Sequence, residues 1–398
     1  MKKISFKQIF TLLLCNLFIL MNIVGCANQE AETTKSETTS KSEIVTEVVT
    51  EKESETEAVK TEETEAEETK AEEIGETRIF IDSTGREIEV PNQIDKVALS
   101  GPLAQIVLYA FSPELLVGFS TDWSEEVEAY IPEEYLALPT IGQLYGGKGE
   151  LNLEELLSSG AQIVIDVGEP KKTIVEDMDG LQEQTGLPFV HITLTLAEPE
   201  EAYAKLGELL NLEERGQEFA DYCSNVYEKA NAIANEVEKK NLLYAAGENG
   251  LNVIAKDSFH AEVIDLLSNN LAVVDEPSSQ GMGNEVDMEQ ILNWNPDVII
   301  FAPDSIYDTV QDLPEWQSIT AIQNGDYYEV PFGPYNWLGF PPSVQRYLGL
   351  LWMADLLYPD AVDYNIEEEV QQYFEMFYHT ELSEEQYQKL IENSIGND

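Results

Sequence analysis

The chain has 398 residues, with 76 acidic against 22 basic side chains and a formal net charge of −54. So large an acid excess excludes a nucleic-acid binder, because nothing is available to neutralise phosphates, and it disfavours peripheral binding to anionic lipid. Of the three cysteines, only Cys223 lies in the globular part, which excludes an intrachain disulfide there; its helical surroundings make it a small core residue.

In chain order, the first segment is an export signal over residues 1–25: Lys2, Lys3 and Lys7 precede an uncharged apolar run from Ile9 to Val24. Ile23-Val24-Gly25-Cys26 resembles the lipobox of bacterial lipoproteins, which implies cleavage before Cys26 and a lipid on its sulfur. The alternative is an uncleaved membrane anchor. Either way the chain is expected on the extracytoplasmic face of the cell membrane, lipid-anchored in the first case. Residues 26–76 form the second segment, rich in Glu, Thr, Ser and Lys and lacking aromatic residues and proline. It has too little to bury to offset its ordering entropy and reads as a disordered acidic spacer.

The remaining residues are enough for two domains. Arg78–Val90 reads as a hairpin around Ser83-Thr84-Gly85. Lys96–Leu99 begins a buried strand, followed by the loop Ser100-Gly101-Pro102 and a helix through Tyr109. Short strands follow at Leu116–Phe119, Ile163–Val167 and Phe189–Ile192. Strands alternating with helices predict an α/β lobe with a covered, mainly parallel sheet over residues 77–197. Residues 198–240 carry apolar side chains at helical spacing and read as one helical crossover, with a break near Leu212–Arg215. Residues 241–398 repeat the α/β plan: strands at Asn241–Ala246, Asn252–Ala255, Val298–Ala302 and Tyr327–Val330, a helix Ser258–Leu267 with Ser258 as N-cap, and C-terminal helices at Ser343–Leu357 and Ile366–Tyr378.

One unit occurs twice. Residues 151–166 (LNLEELLSSGAQIVID) and 286–301 (VDMEQILNWNPDVIIF) align without a gap at an offset of 135. Each is a short helix followed by an aliphatic strand. Asn152 and Asp287 are good N-caps, with Glu155 and Gln290 three residues on, so each copy opens on a capping box. Glu154 and Glu289 occupy the first helical turn, where a negative side chain suits the helix dipole by a fraction of a kcal/mol. The dipole explains an acid there; it does not require two matched copies.

These features together resemble the substrate-binding proteins of ABC importers that carry iron-siderophore complexes, haem and cobalamin. The resemblance rests on Asp82-Ser83-Thr84-Gly85-Arg86-Glu87-Ile88-Glu89-Val90-Pro91, the helix–strand repeat, the helical crossover, and the run Trp316-Gln317-Ser318-Ile319 followed by Ala321-Ile322-Gln323-Asn324-Gly325. It implies two Rossmann-like lobes joined by one rigid helix, a ligand held in the cleft between them, and a monomer that delivers it to a dimeric ABC permease with its ATPase. It further implies that Glu154 and Glu289, one per lobe, dock into arginine pockets of that permease.

The cleft is expected at the carboxyl ends of the strands. That selects Trp123, Tyr145, Tyr335 and Trp337, aromatic side chains with polar tips that suit a bulky chelate; any one of them could instead be a packed aromatic. Lys148 and Lys171, with Lys172 beside it, are the cations available to an anionic ligand, whereas Arg346 lies on a helix and is expected to pair with a carboxylate. His260 is the histidine best placed to face a ligand, although a lone histidine is more often a loop or core residue. Residues two apart on a helix do not share a face, so His260 and Glu262 make a weak pair, and no His/Cys cluster has metal-ligand spacing. A chelated metal therefore fits better than a bare ion. An iron complex of the siderophore type is the first expectation, with haem, a corrinoid or an oxyanion such as molybdate as alternatives. No cofactor is expected, and neither is catalysis: G-x-S-x-G and H-E-x-x-H are absent, which leaves a surface hydrolase as a remote alternative.

Overall fold

The computed structural model describes residues 76–145, 151–278, 280–303 and 305–395. The export signal, Cys26, the spacer and Lys148 lie outside the described residues. No described helix is long and apolar enough to cross a membrane.

The first element is an antiparallel hairpin of β1 (Thr77–Ile81) and β2 (Glu87–Pro91). Its turn is fixed by the Asp82 carboxylate, which accepts from the amides of Thr84 and Arg86 at 2.9 and 3.0 Å. The first lobe is built on β3 (Val97–Leu99), β4 (Ile163–Gly168) and β5 (Phe189–Thr193), all parallel in the order β3-β4-β5. The aliphatic run of β4 is buried from Ile163 to Val167, as a strand covered on both faces requires. Helix α1 (Pro102–Phe111) follows β3 directly. The expected strand Leu116–Phe119 is reduced to two isolated bridges, Val97 with Leu116 and Phe119 with Thr140. The segment turns away at Gly118, which passes so close to the Pro139 carbonyl that a Cβ would lie 2.6 Å from it.

Two short helices, α2 (Glu125–Glu128) and α3 (Glu133–Leu136), precede the first copy of the repeat, α4 (Leu153–Ser158). Helix α5 (Ile174–Thr185) connects β4 to β5. The connection to the second lobe is two helices, divided close to the break expected near Leu212–Arg215: α6 (Glu200–Leu210) and α7 (Glu213–Glu236). Asn211 stops the first in the left-handed conformation at φ 55°, where asparagine is tolerated. The two helices cross at Gly207 and Gly216. A Cβ on Gly216 would lie 2.6 Å from the Tyr203 carbonyl oxygen and 3.3 Å from the Gly207 Cα, so the crossing needs a residue with no side chain there.

The second lobe is a mixed sheet in the order β11-β10-β6-β7-β9, with β8 also on β6. Its parallel part is β6 (Asn241–Ala246), β10 (Val298–Phe301) and β11 (Tyr327–Glu329). The two-residue strands β7 (Asn252–Val253) and β9 (Asn284–Glu285) extend it antiparallel, and β8 (Asn269–Asn270) pairs parallel at the start of β6. The expected helix from Ser258 starts as a 3-10 turn, Phe259–Ala261, and becomes α8 only at Glu262–Leu267; the Ser258 side chain makes no cap bond. Further on come α9 (Met288–Trp294), the second copy of the repeat, then α10 (Thr320–Asn324), α11 (Arg346–Leu357), α12 (Ile366–Tyr378) and α13 (Glu384–Ile391). In the repeats, Asn152 accepts from the amides of Glu154 and Glu155, and Asp287 from that of Gln290. That is the capping half of the expected box; the reciprocal box forms at Ser383 and Gln386.

One buried apolar cluster runs from β3, β4 and β5 through α6, α7, α11 and α12 to β6 and β10. Both sheets thus share one buried core, and apolar surface removed from water is the main stabilising term.

Candidate ligand-binding site

A cavity of about 750 Å³ opens between the carboxyl ends of the two sheets. The first lobe contributes Ser100–Ala104 after β3, Tyr145, and Asp166, Val167, Glu169 and Lys171 at the end of β4. The second lobe contributes Phe259, His260, Gln280, Gly281 and Phe340-Pro341-Pro342. The loop after β3 can come this close because Gly101 abuts the Tyr145 backbone, whose carbonyl oxygen would sit 2.4 Å from a Cβ.

Ser100, Asp166, Tyr145 and His260 in the lining are each positioned by a neighbour. Asp166 is buried, accepts from the Ser100 hydroxyl and lies 2.6 Å from Nδ1 of the fully buried His191. Tyr145 donates its hydroxyl to Asp177 at 2.9 Å, and burial with this carboxylate neighbour pushes its ionisation up. His260, 8% exposed, donates from Nδ1 to the Gly339 carbonyl at 3.2 Å, so in the neutral ring Nε2 carries the lone pair. Its ring stacks on Phe340 at 5.2 Å and 14°, and Phe340 in turn stacks on Tyr244 at 5.6 Å and 13°. Behind Phe259, the buried guanidinium of Arg346 pairs with Glu262, bonds the Ser343 carbonyl and lies 5.0 Å from the Phe259 ring centre. Burial lowers the Arg346 pKa from its usual value and the Glu262 charge opposes this. Glu262 is thus the partner of Arg346, not of His260.

Of the residues singled out from sequence, Tyr145, Lys171 and His260 line the cavity. Trp123 and Tyr335 do not: they pack on each other at 6.1 Å, and Trp123 sits edge-on to Tyr109 and Phe119. Gln105 holds this second aromatic group in place by accepting from the Ser120 amide and hydroxyl at 2.8 and 2.7 Å. Trp337 is 0% exposed and donates its indole N–H to the Gly333 carbonyl; it is a core residue, because the loop that carries it folds inward. Glu154 and Glu289 are exposed on α4 and α9. Sequence reasoning overlooked Asp166 and Phe340. The signal for Asp166 was a lone charge in an otherwise aliphatic strand, where the second copy of the repeat has Phe301. Nothing local distinguishes Phe340 from any other aromatic residue before prolines.

Among the described residues no group of three or more His, Cys, Asp or Glu side chains could hold a metal ion by itself. Among the described residues the lining offers one imidazole nitrogen, the carboxylates of Asp166 and Glu169, and one cation, Lys171. This set can complete the coordination of a metal that a small molecule already holds.

Residues 144–333 match the sequence profile of the periplasmic binding protein family. An ABC transporter solute-binding protein from Sulfurospirillum deleyianum is 26% identical, with a TM-score of 0.71 over 79% of this chain and 99% of that one. A periplasmic solute-binding protein from Veillonella parvula is 23% identical, with a TM-score of 0.66 over 80% and 98%. The molybdate-bound MolA of Haemophilus influenzae is 18% identical, with a TM-score of 0.61 over 77% and 99%. No curated protein sequence matches the chain. The last two structures share the fold, and a fold leaves the ligand open. The profile match over residues 144–333, the first structure and the interlobe cavity together make the chain similar to the periplasmic binding proteins, with their fold.

Proposed function

We propose that the protein captures a chelated metal ion, an iron complex of the siderophore type, in the interlobe cavity and delivers it to the permease of an ABC importer. The observation that carries this reading is the lining itself: an imidazole with Nδ1 held by Gly339 and Nε2 left for a ligand, on an aromatic stack, in about 750 Å³. A backbone carbonyl on the other ring nitrogen is the usual way a metal-binding histidine is oriented. Among the described lining residues, two carboxylates against one lysine favour a neutral or cationic complex over molybdate or a polyanionic catecholate. The export signal and Cys26 support an extracytoplasmic, lipid-tethered location, and Glu154 and Glu289, exposed in first helical turns, support docking on a permease through one acidic side chain per lobe.

Thermal shift and visible absorbance with a ferric trihydroxamate, haemin, cyanocobalamin and molybdate test the cargo. The ferric complex at a hundred times its Kd should stabilise the protein by about 2.7 kcal/mol, and His260→Ala should weaken binding and change the charge-transfer band. Stabilisation by molybdate alone, in a colourless protein, would overturn the assignment.

A further inference from the structure

The two copies of the repeat share a feature that neither the fold nor the cavity uses. Of their sixteen aligned positions only three are identical: Glu154 with Glu289, Leu157 with Leu292, and Ile165 with Ile300. The isoleucines lie in β4 and β10 and are 0% exposed, so packing explains them. The helix positions that face the core have drifted, to Leu153 against Met288 and Leu156 against Ile291, with Leu156 and Ile291 both 0% exposed. The leucines that have not drifted are the outward ones: Leu157 is 52% exposed and Leu292 is 40% exposed. A single exposed leucine is ordinary. Two at the same register, while the buried positions beside them vary, call for a reason outside the folded chain.

Residues three apart on a helix are neighbours on one face. Leu157 therefore stands beside Glu154, and Leu292 beside Glu289, so each lobe presents the same pair of an acid and a leucine. We propose that Leu157 and Leu292 are apolar docking contacts, each seated in a hydrophobic pocket next to the basic site that takes the neighbouring glutamate. The occupant is a protein with two equivalent copies of that composite site, the two halves of the permease. The inference rests on the docking reading given above and extends it. Charge complementarity fixes the basic half of each pocket, and the duplication fixes its two-fold character. The chemistry divides the labour: the solvated glutamates steer and set register, whereas a leucine that leaves water on contact adds affinity.

The test is ATP hydrolysis by the cognate permease–ATPase in proteoliposomes, titrated with full-length binding protein. Leu157→Gln and Leu292→Gln keep side-chain length and helix propensity while removing apolar character. Each should raise the half-maximal concentration about fivefold and the pair about twentyfold or more, with the thermal midpoint of the free protein and its affinity for ferric trihydroxamate unchanged. Leu157→Met with Leu292→Met should behave as wild type, which separates apolar contact from misfolding. Wild-type stimulation by the double Gln variant, with Glu154→Ala/Glu289→Ala impaired, would overturn the leucine contacts and leave glutamate docking standing. Wild-type stimulation by both double variants would remove docking by these helices altogether. Concentration-dependent dimerisation of the wild-type chain in sedimentation, abolished by the Gln pair, would reassign the leucines to a second copy and likewise overturn the proposal.

Discussion

The ion pair behind Phe259 should cost more stability when its carboxylate is lost than when its cation is. Arg346 is 4% exposed at its side chain and Glu262 34% exposed. Glu262→Gln removes the partner charge from a desolvated guanidinium whose other contacts are the neutral Ser343 carbonyl and the Phe259 ring, with Glu169 as the remaining nearby carboxylate. Removing one member of a fully buried pair costs about 3–5 kcal/mol. Water reaches a third of Glu262 and screens the pair, which brings the expected cost down to about 2–3 kcal/mol. Arg346→Met removes the buried charge itself, keeps the methylene stem that packs on Gly339, and returns Glu262 to solvent; the cost should be about 1 kcal/mol. Urea unfolding followed by circular dichroism measures both, with an unchanged m-value as the check that only stability moved. The double variant should match Arg346→Met alone, since its second substitution has nothing left to unpair. Equal costs for the two single variants, or a double variant at their sum, would refute the claim that the cost lies in an orphaned cation.

Other outcomes follow from the same geometry. Phe340→Ala removes the ring stacked on His260 and Tyr244; calorimetric titration with ferric trihydroxamate should show about tenfold weaker binding, and unfolding a loss of about 2 kcal/mol. Gly216→Ala would gain up to about 1 kcal/mol from helix propensity in an isolated helix, but here the Cβ meets the Tyr203 carbonyl, and a net loss of about 1–3 kcal/mol is expected in urea melts. His379 caps α12 and donates from Nε2 to the Tyr109 carbonyl at 3.1 Å, and burial lowers its pKa. A histidine with a depressed folded pKa contributes stability above its unfolded pKa and loses it as pH falls through the folded one. The thermal midpoint of the wild type should therefore drop more between pH 7.5 and 5 than that of His379→Asn, a residue that also tolerates the left-handed cap. Parallel pH profiles would show that His379 does not titrate in this window.

Much of the architecture was legible locally. β-Branched runs such as Ile163–Val167, despite Asp166, and Val298–Phe301 read as buried strands by their length and composition, and the caps Asn152 and Asp287 mark their helices because the chemistry of a cap is complete within four residues. Local signals also placed Gly207 and Gly216 inside the crossover. They also put a break near Leu212–Arg215, beside Asn211 where the helices divide, but did not show that the glycines touch and pack the two helices together.

The cleft was legible as a set of loops and much less as a set of side chains. Lys171 reaches the cavity from the loop after β4, whereas Tyr145 is brought there by the loop packed on Gly101 and His260 by the 3-10 turn Phe259–Ala261. Trp123, Tyr335 and Trp337 lie on similar loops and turn elsewhere, since an aromatic ring goes wherever it finds partners, and those partners (Phe119, Tyr109 and the Gly333 carbonyl) are set by packing. The sequence by itself determined the strands, the duplicated helix–strand unit and the acidic character of the chain, because each depends on short-range periodicity or on composition. Only the tertiary structure decided which nitrogen of His260 is left for a ligand, which carboxylate Arg346 takes, and that the unvarying leucines of the repeat point outward. Each of these depends on which distant segment arrives as a neighbour.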